Sequence, residues 1–394
     1  MPYFTSVGDV PRKRHTRFRQ PDGSLYREEL IGEEGFVADS SLLYHRGIPS
    51  EVVAVAPGEA VPEAAPGGLR PNHPMRARHL RPHELASGGD LVTSRHILLG
   101  NDDVLIGYAA ADAPSPLYRN AVGDELVYIE SGAARFESVF GWLEADAGDY
   151  VIVPASTTHR WIPLGEGPVR ALVIEAAGHV RPPRRYLSAH GQFLENSPYC
   201  ELDLRLPRGP LLDEGENVDV LMKTRAGFAR YTMATHPFDV AGWFGCLYPY
   251  AFNVHDFEPV TGSLHRPPPV HQTFEGPNFV VCSFVPRLFD YHPEAVPVPP
   301  WHANVDSDEV LFYAQGDFMS RAGSGIGQGS LSLHPAGFVH GPHPGSVEAA
   351  LGALRTEEVA VMIDTFRPLN LGAAATPCED DSYTLSWHRA ATGA

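Results

Sequence analysis

Short apolar runs, each stopped by glycine or proline, recur along the chain. Glu309-Val310-Leu311-Phe312-Tyr313 is β-branched, aliphatic or aromatic after its first residue, and Gly316 breaks it. Residues 329–335 (GSLSLHP) alternate polar and apolar and end at Pro335. Residues 125–130, 150–153 and 169–174 follow the same habit, with Ala147-Gly148-Asp149-Tyr150 as a turn. Residues 278–287 read as a buried strand. Residues 357–367 fit a strand or a helix, and β-branching favours the strand. Val52 to Val55 and Leu91 to Thr93 predict two shorter strands in a region, residues 1–110, that is otherwise irregular. Residues 57–68 predict an exposed loop, 177–225 a connection rich in Pro and Arg, and the last residues a surface tail. The aromatic run 238–257 is read as core or interface packing.

One spacing occurs twice. Glu125, Gly132, Gly148, Pro154 and His159 repeat the order of Glu309, Gly316, Gly329, Pro335 and His340, 184 residues apart for the first two and 181 for the last three. Asn120 and Asp124 pair with Asn304 and Asp308 in the same way. A shared order with one short indel predicts two barrels of one type. The expected architecture is all-β: residues 1–225 with a first barrel at about 111–176, and residues 226–394 with the second. The copies differ in one place, because Tyr118 stands where the second copy has His302.

That difference is where the chemistry lies. Side chains alternate along a strand, so strands of one barrel can bring His302, Glu309 and His340 to one interior point. Two imidazoles and a carboxylate with open positions are the facial triad of non-haem Fe(II) oxygenases. The first copy lacks its leading imidazole and is expected to hold no metal, with Glu125 and His159 as hydrogen-bonded polar groups. Asp306 and Asp308 lie as near His302 as Glu309 does, and the repeat alone does not choose, since Asp124-Glu125 mirrors Asp308-Glu309.

Composition narrows the partners. A net charge of −18 argues against nucleic acid and anionic membrane, and an anionic substrate would need a metal or an arginine beside it. The basic cluster Arg76, Arg78, His79 and Arg81 is read as a solvated loop rather than an anion site. Cys200, Cys246, Cys282 and Cys378 form no C-x-x-C and suit reduced thiols in a cytoplasmic protein. The first residues lack the apolar segment of a secretory signal, and no run of about 18 apolar residues predicts a membrane span.

Longer strings carry a resemblance. FDVAGWFGCLYPYAFNVHDFEPVTG, VHQTFEGPNFVVCSFVPR, HANVDSDE and SLHPAGFVHGPHPG resemble a bicupin, two double-stranded β-helix (jelly-roll) barrels, and more narrowly the homogentisate 1,2-dioxygenase family. VPRKRHTRFR and GSLYREELIGEEGF resemble the start of its shorter bacterial members. The resemblance implies Fe(II) as cofactor and cleavage of homogentisate with O2 to maleylacetoacetate, in tyrosine and phenylalanine catabolism. It implies His302, Glu309 and His340 as iron ligands, His271 as the catalytic histidine, and His334 with His340 at the substrate. Cupins place the ligand carboxylate seven residues before the strand-ending glycine, which selects Glu309 over Asp308, and they often carry a second imidazole where this chain has Asn304. His255 and His343 are read as structural or supporting. The family's trimers and hexamers imply a homo-oligomer. Phe318 and Pro300 stand where longer members have tyrosines, so a related hydroxyphenyl acid is an alternative substrate. A metal-dependent isomerase, or a non-catalytic bicupin that binds a metal or small ligand, would use the same barrel and the same donors.

Overall fold

The computed structural model describes residues 3–58 and 68–388, so most of the predicted loop at 57–68 lies outside the described residues. The chain is all-β, a bicupin. Its one α-helix among the described residues is the short Ser346–Ala350. Two compact units form, Met1–Pro66 with Ser87–Arg95 and Gly107–Asn253, and Gly67–Ala86 with His96–Ile106 and Val254–Ala394. Residues 226–253, expected with the second barrel, thus group with the first. The reason is pairing: strand Gly227–Thr235 lies on Glu216–Thr224, and Tyr250–Asn253 lies on Asp149–Val153.

In the first unit, Glu125–Ser131 runs between Asp149–Val153 and Val169–Ala176. A facing sheet holds Gly141–Asp146, Ala133–Ser138, His159–Leu164 and Tyr118–Asn120 in that order. Val127, Val151 and Val173 from one sheet meet Phe136, Leu143 and Trp161 from the other, all buried. Each such side chain contributes about 1.5–3 kcal/mol by leaving water. A third sheet joins Thr5–Gly8, Val240–Gly245, Ser40–His45 and Arg27–Gly32. The N-terminal region thus carries more strands than the two expected, though most of its described residues lie in turns and loops. Residues 91–94 form a turn instead of a strand, because Asp90 accepts the backbone N–H groups of Val92 and Thr93.

The second unit repeats the arrangement. Asp308–Gln315 runs between Ser330–His334 and Val359–Thr365, with Phe279–Phe284 beyond. The strands expected at 278–287 and 357–367 are thus present. Gly132 and Gly316 end the two matching central strands at φ 81° and 97°. A Cβ at Gly316 would stand 2.4 Å from the Glu357 carbonyl oxygen, and one at Gly132 2.9 Å from that of Pro168. Asp124 and Asp308 also match: each carboxylate accepts two backbone N–H groups, of Ala155 and Val180 in one barrel, of Ala336 and Leu369 in the other. Asp308 is thereby a loop anchor turned away from the face that Glu309 occupies.

One further expectation holds and another changes. The 238–257 run packs as core, with Phe238, Trp243, Tyr248, Tyr250 and Phe252 buried. The basic cluster is not a solvated loop: Arg78 and His79 are buried in strand Arg78–Leu80, and Arg76, Arg78 and Arg81 pair with Glu379, Asp380 and Asp381. Those pairs fasten residues 379–381, and Tyr383 just beyond is wholly buried, while 389–394, the end of the predicted tail, lie outside the described residues.

Candidate metal centre

Three strands set the carboxylate. Glu309 lies directly opposite His334 on one side and Asp364 on the other, so the three side chains share one face. His302 and His340 come from the loops before and after. Each donates its backbone N–H to the other's carbonyl, at 2.9 Å both ways, in an isolated antiparallel bridge. Their rings sit 4.4 Å apart.

Each ring is fixed by the carbonyl two residues earlier. His302 Nδ1 lies 2.9 Å from the Pro300 oxygen, and His340 Nδ1 lies 3.0 Å from that of Phe338. Carbonyls only accept, so Nδ1 carries the proton and Nε2 presents a lone pair. Those Nε2 atoms lie 3.6 and 3.2 Å from Glu309 oxygens. One donor atom from each of His302, Glu309 and His340 lies within 4.8 Å of the other two. Ligands at right angles on an ion about 2.1 Å away stand about 3 Å apart, close to these separations. Three acceptors thus converge with no donor between them, a set that fits a divalent cation.

His334 does not face the cavity. It is wholly buried, stacks 4.1 Å from His340, and holds Glu309 Oε1 at 3.0 Å. Burial drives its pKa down to about 3, so it is neutral. A carboxylate cannot donate, so His334 Nδ1–H donates to Glu309, and Nε2 accepts from the Tyr383 hydroxyl at 3.0 Å. Burial pushes the Glu309 carboxyl up, and its imidazole neighbours more than reverse this, holding it well below the usual range. At Asp364 the pull of His302 is outweighed. Burial and the Glu309 charge raise it to about 7, and its Oδ1 has no partner among the described residues.

His302 and Glu309 open into a cavity of about 170 Å³. Phe284, Leu311 and Met362 supply apolar wall, and His271, Arg287, Tyr313, Arg321 and Glu358 supply polar groups. His271 is buried against Phe284, with ring centroids 4.6 Å apart. Its Nδ1 has no partner among the described residues, and burial, then Arg287, lowers its pKa to about 3. Phe318 packs edge-on against Tyr313 at 4.9 Å and does not line the cavity. His255 is exposed in the turn Val254–Asp256 and does not line the cavity, and His343 contacts Ser386 and Trp387.

The first barrel fills the same place differently. Tyr118 pairs with His159 as His302 does with His340. Arg95 donates to both oxygens of Glu125 at 2.9 and 2.8 Å, and Tyr118 and Asn120 add hydrogen bonds at 2.8 and 3.0 Å. Glu175, opposite Glu125 as Asp364 is opposite Glu309, accepts from Lys223 at 2.7 Å. His159 Nδ1 is bonded to the Thr157 carbonyl, but its buried Nε2 has no partner among the described residues.

A protein of Saccharolobus solfataricus with a provisional dioxygenase name is 40% identical over 98% of this chain and 100% of its own. Homogentisate 1,2-dioxygenase of Emericella nidulans is 23% identical over 69% of this chain and 63% of that enzyme. The chain belongs to the homogentisate 1,2-dioxygenase family. It is therefore a dioxygenase of that family, and relatives of this kind on a cupin fold imply a bound metal. A cupin domain model matches residues 107–175, the barrel filled by Arg95. Among solved structures, a cupin 2 conserved barrel domain protein from Leptotrichia buccalis aligns with a TM-score of 0.33 and 10% identity, over 74% of this chain and 97% of that one. No helix among the described residues is long and apolar enough to cross a membrane.

Sequence reasoning missed Arg95, Arg321, Asp364 and Tyr383. Asp364 had a usable signal, as the lone acid inside a strand that otherwise reads apolar.

Proposed function

We propose that His302, Glu309 and His340 hold one ferrous ion and that the protein opens the ring of homogentisate, or of a close hydroxyphenyl acid, with O2. The product from homogentisate would be maleylacetoacetate. The observation that carries this reading is the convergence of two Nε2 lone pairs and one carboxylate beside an aromatic-walled cavity. Two imidazoles and one carboxylate leave half a coordination sphere for reactants. A cavity of about 150 Å³ accommodates a benzene ring, so the space here suits a single-ring substrate.

Bound Fe(II) supplies the redox chemistry that lets O2 react with a phenolic ring. The chain's own residues do the rest. The His334–Glu309 hydrogen bond fixes which carboxylate oxygen faces the centre. Phe284, Leu311 and Met362 keep water from the ring. His271, neutral down to about pH 3, is mismatched as a base for a phenol, and its role is to shape, with Phe284, the wall that positions the ring.

The test is anaerobic loading with Fe(II), then O2 uptake against a panel of hydroxyphenyl acids. Stoichiometric uptake with homogentisate or a near relative is expected. No uptake with any member would overturn the reading, and would favour a binder or an isomerase.

A further inference from the structure

Among the described residues, several buried or half-buried arginines rest on carboxylates. Arg78 reaches Glu379 at 2.6 Å and Arg95 reaches Glu125 at 2.8 Å. Arg321, only 6% exposed, does not. Its Nε donates to the Tyr313 hydroxyl at 3.0 Å and its Nη1 to the Gly341 carbonyl at 2.7 Å. Neither partner cancels its charge. Among the described residues it forms no ion pair, and its Nη2 makes no hydrogen bond. Nη2 is not a sealed atom, and Arg321 lines the cavity with His302 and Glu309.

A buried guanidinium with no carboxylate in contact is costly, and the Glu309 charge reaches Arg321 only from beyond ion-pair distance. Two bonds hold this one rigid, which leaves a planar donor edge beside the space a substrate would fill. A carboxylate is the group that edge matches best. The chain carries −18 overall, so an anionic ligand needs such a local attraction. Of the other two arginines lining the cavity, Arg287 already faces Glu358 at 3.6 Å and Arg266 is exposed to solvent, where water screens its charge.

We infer that Arg321 is the anion anchor of the cavity and determines specificity, receiving the carboxylate of an aromatic acid on Nη2 while the ring faces the metal centre. The inference rests on the proposed function for the ring chemistry, but acid recognition is separable from turnover. A mere brace, tying the 319–321 turn to Gly341 beside His340, would serve acids and neutral compounds alike.

The experiment uses the iron-loaded protein without oxygen. Homogentisate and its neutral methyl ester are titrated calorimetrically into wild type, Arg321→Gln and Arg321→Lys, with iron content measured in each. Wild type is expected to prefer the acid. Arg321→Gln should weaken acid binding about 30-fold, the scale of one charge-assisted contact, and change ester binding less than about threefold at unchanged iron content. Arg321→Lys should weaken the acid less and keep the preference, and it carries the test if the Gln protein does not fold. Equal losses for acid and ester, an unchanged acid affinity in Arg321→Gln, or no preference in wild type would each overturn the anchor. Parallel O2 uptake separates the two readings. If acid affinity follows Arg321 but no acid drives uptake, the anchor stands and the proposed oxygenase falls. If uptake proceeds and acid affinity ignores Arg321, the reverse holds.

Discussion

The two barrels solve one electrostatic problem in two ways. Both place a glutamate on the central strand, a second carboxylate directly opposite, and a histidine on a following loop or strand. In the first barrel Arg95 and Lys223 neutralise Glu125 and Glu175. In the second no lysine or arginine among the described residues pairs with Glu309 or Asp364, and Tyr118 is replaced by His302. The lesson is that a buried carboxylate pair requires positive charge and does not specify its source. A fixed guanidinium makes a structural core, whereas an exchangeable divalent ion makes a reactive centre.

The sharpest way to break this contrast is His302→Ala. Supporting residues around a metal are worth 10–100-fold in affinity, so losing a direct ligand should weaken iron binding by more than about 100-fold and abolish turnover, read by metal content and O2 uptake. Retained iron would remove His302 from the centre.

The complementary change is Arg95→Ala in the first barrel. It strands Glu125 and should cost about 3–5 kcal/mol in denaturant unfolding at neutral pH. Burial pushes Glu125 up, but Arg95 and its neighbours hold it below the usual range. A depressed carboxyl contributes stability above its unfolded pKa and loses it as pH falls through the folded value. The deficit of the variant should therefore shrink as pH falls below about 4. A deficit independent of pH would show that Arg95 acts by packing alone.

A smaller effect tests the support of the second centre. His334→Gln keeps a side-chain donor but loses the imidazole stacked on His340 and the link to Tyr383. Iron affinity should fall about 10- to 100-fold while the fold survives. Unchanged affinity would mean that Glu309 needs no orientation from behind.

Much of this contrast was legible in the sequence, for a physical reason. Strand side chains alternate with period two, so the spacing from Glu309 to Gly316 is enough to separate it from Asp308. The repeat likewise aligned Tyr118 with His302, and the backbone bridges bear that alignment out. What stayed hidden came from outside the repeated segment. Arg95 precedes Glu125 by 30 residues and Tyr383 follows His334 by 49, and no local period links either pair. The substrate-pocket role that the resemblance implied for His334 also differs from its position, because the strand turns that ring toward Glu309 and away from the cavity. Pairing between distant strands moved the boundary from 225 to 253, which composition could not show.

The most direct test of the account is anomalous diffraction at the iron edge from crystals grown and loaded without oxygen. One peak per chain, within bonding distance of His302 Nε2, Glu309 and His340 Nε2, with nothing beside Glu125, is the predicted result. A peak at Glu125, or none among His302, Glu309 and His340 in protein that consumes O2, would contradict it.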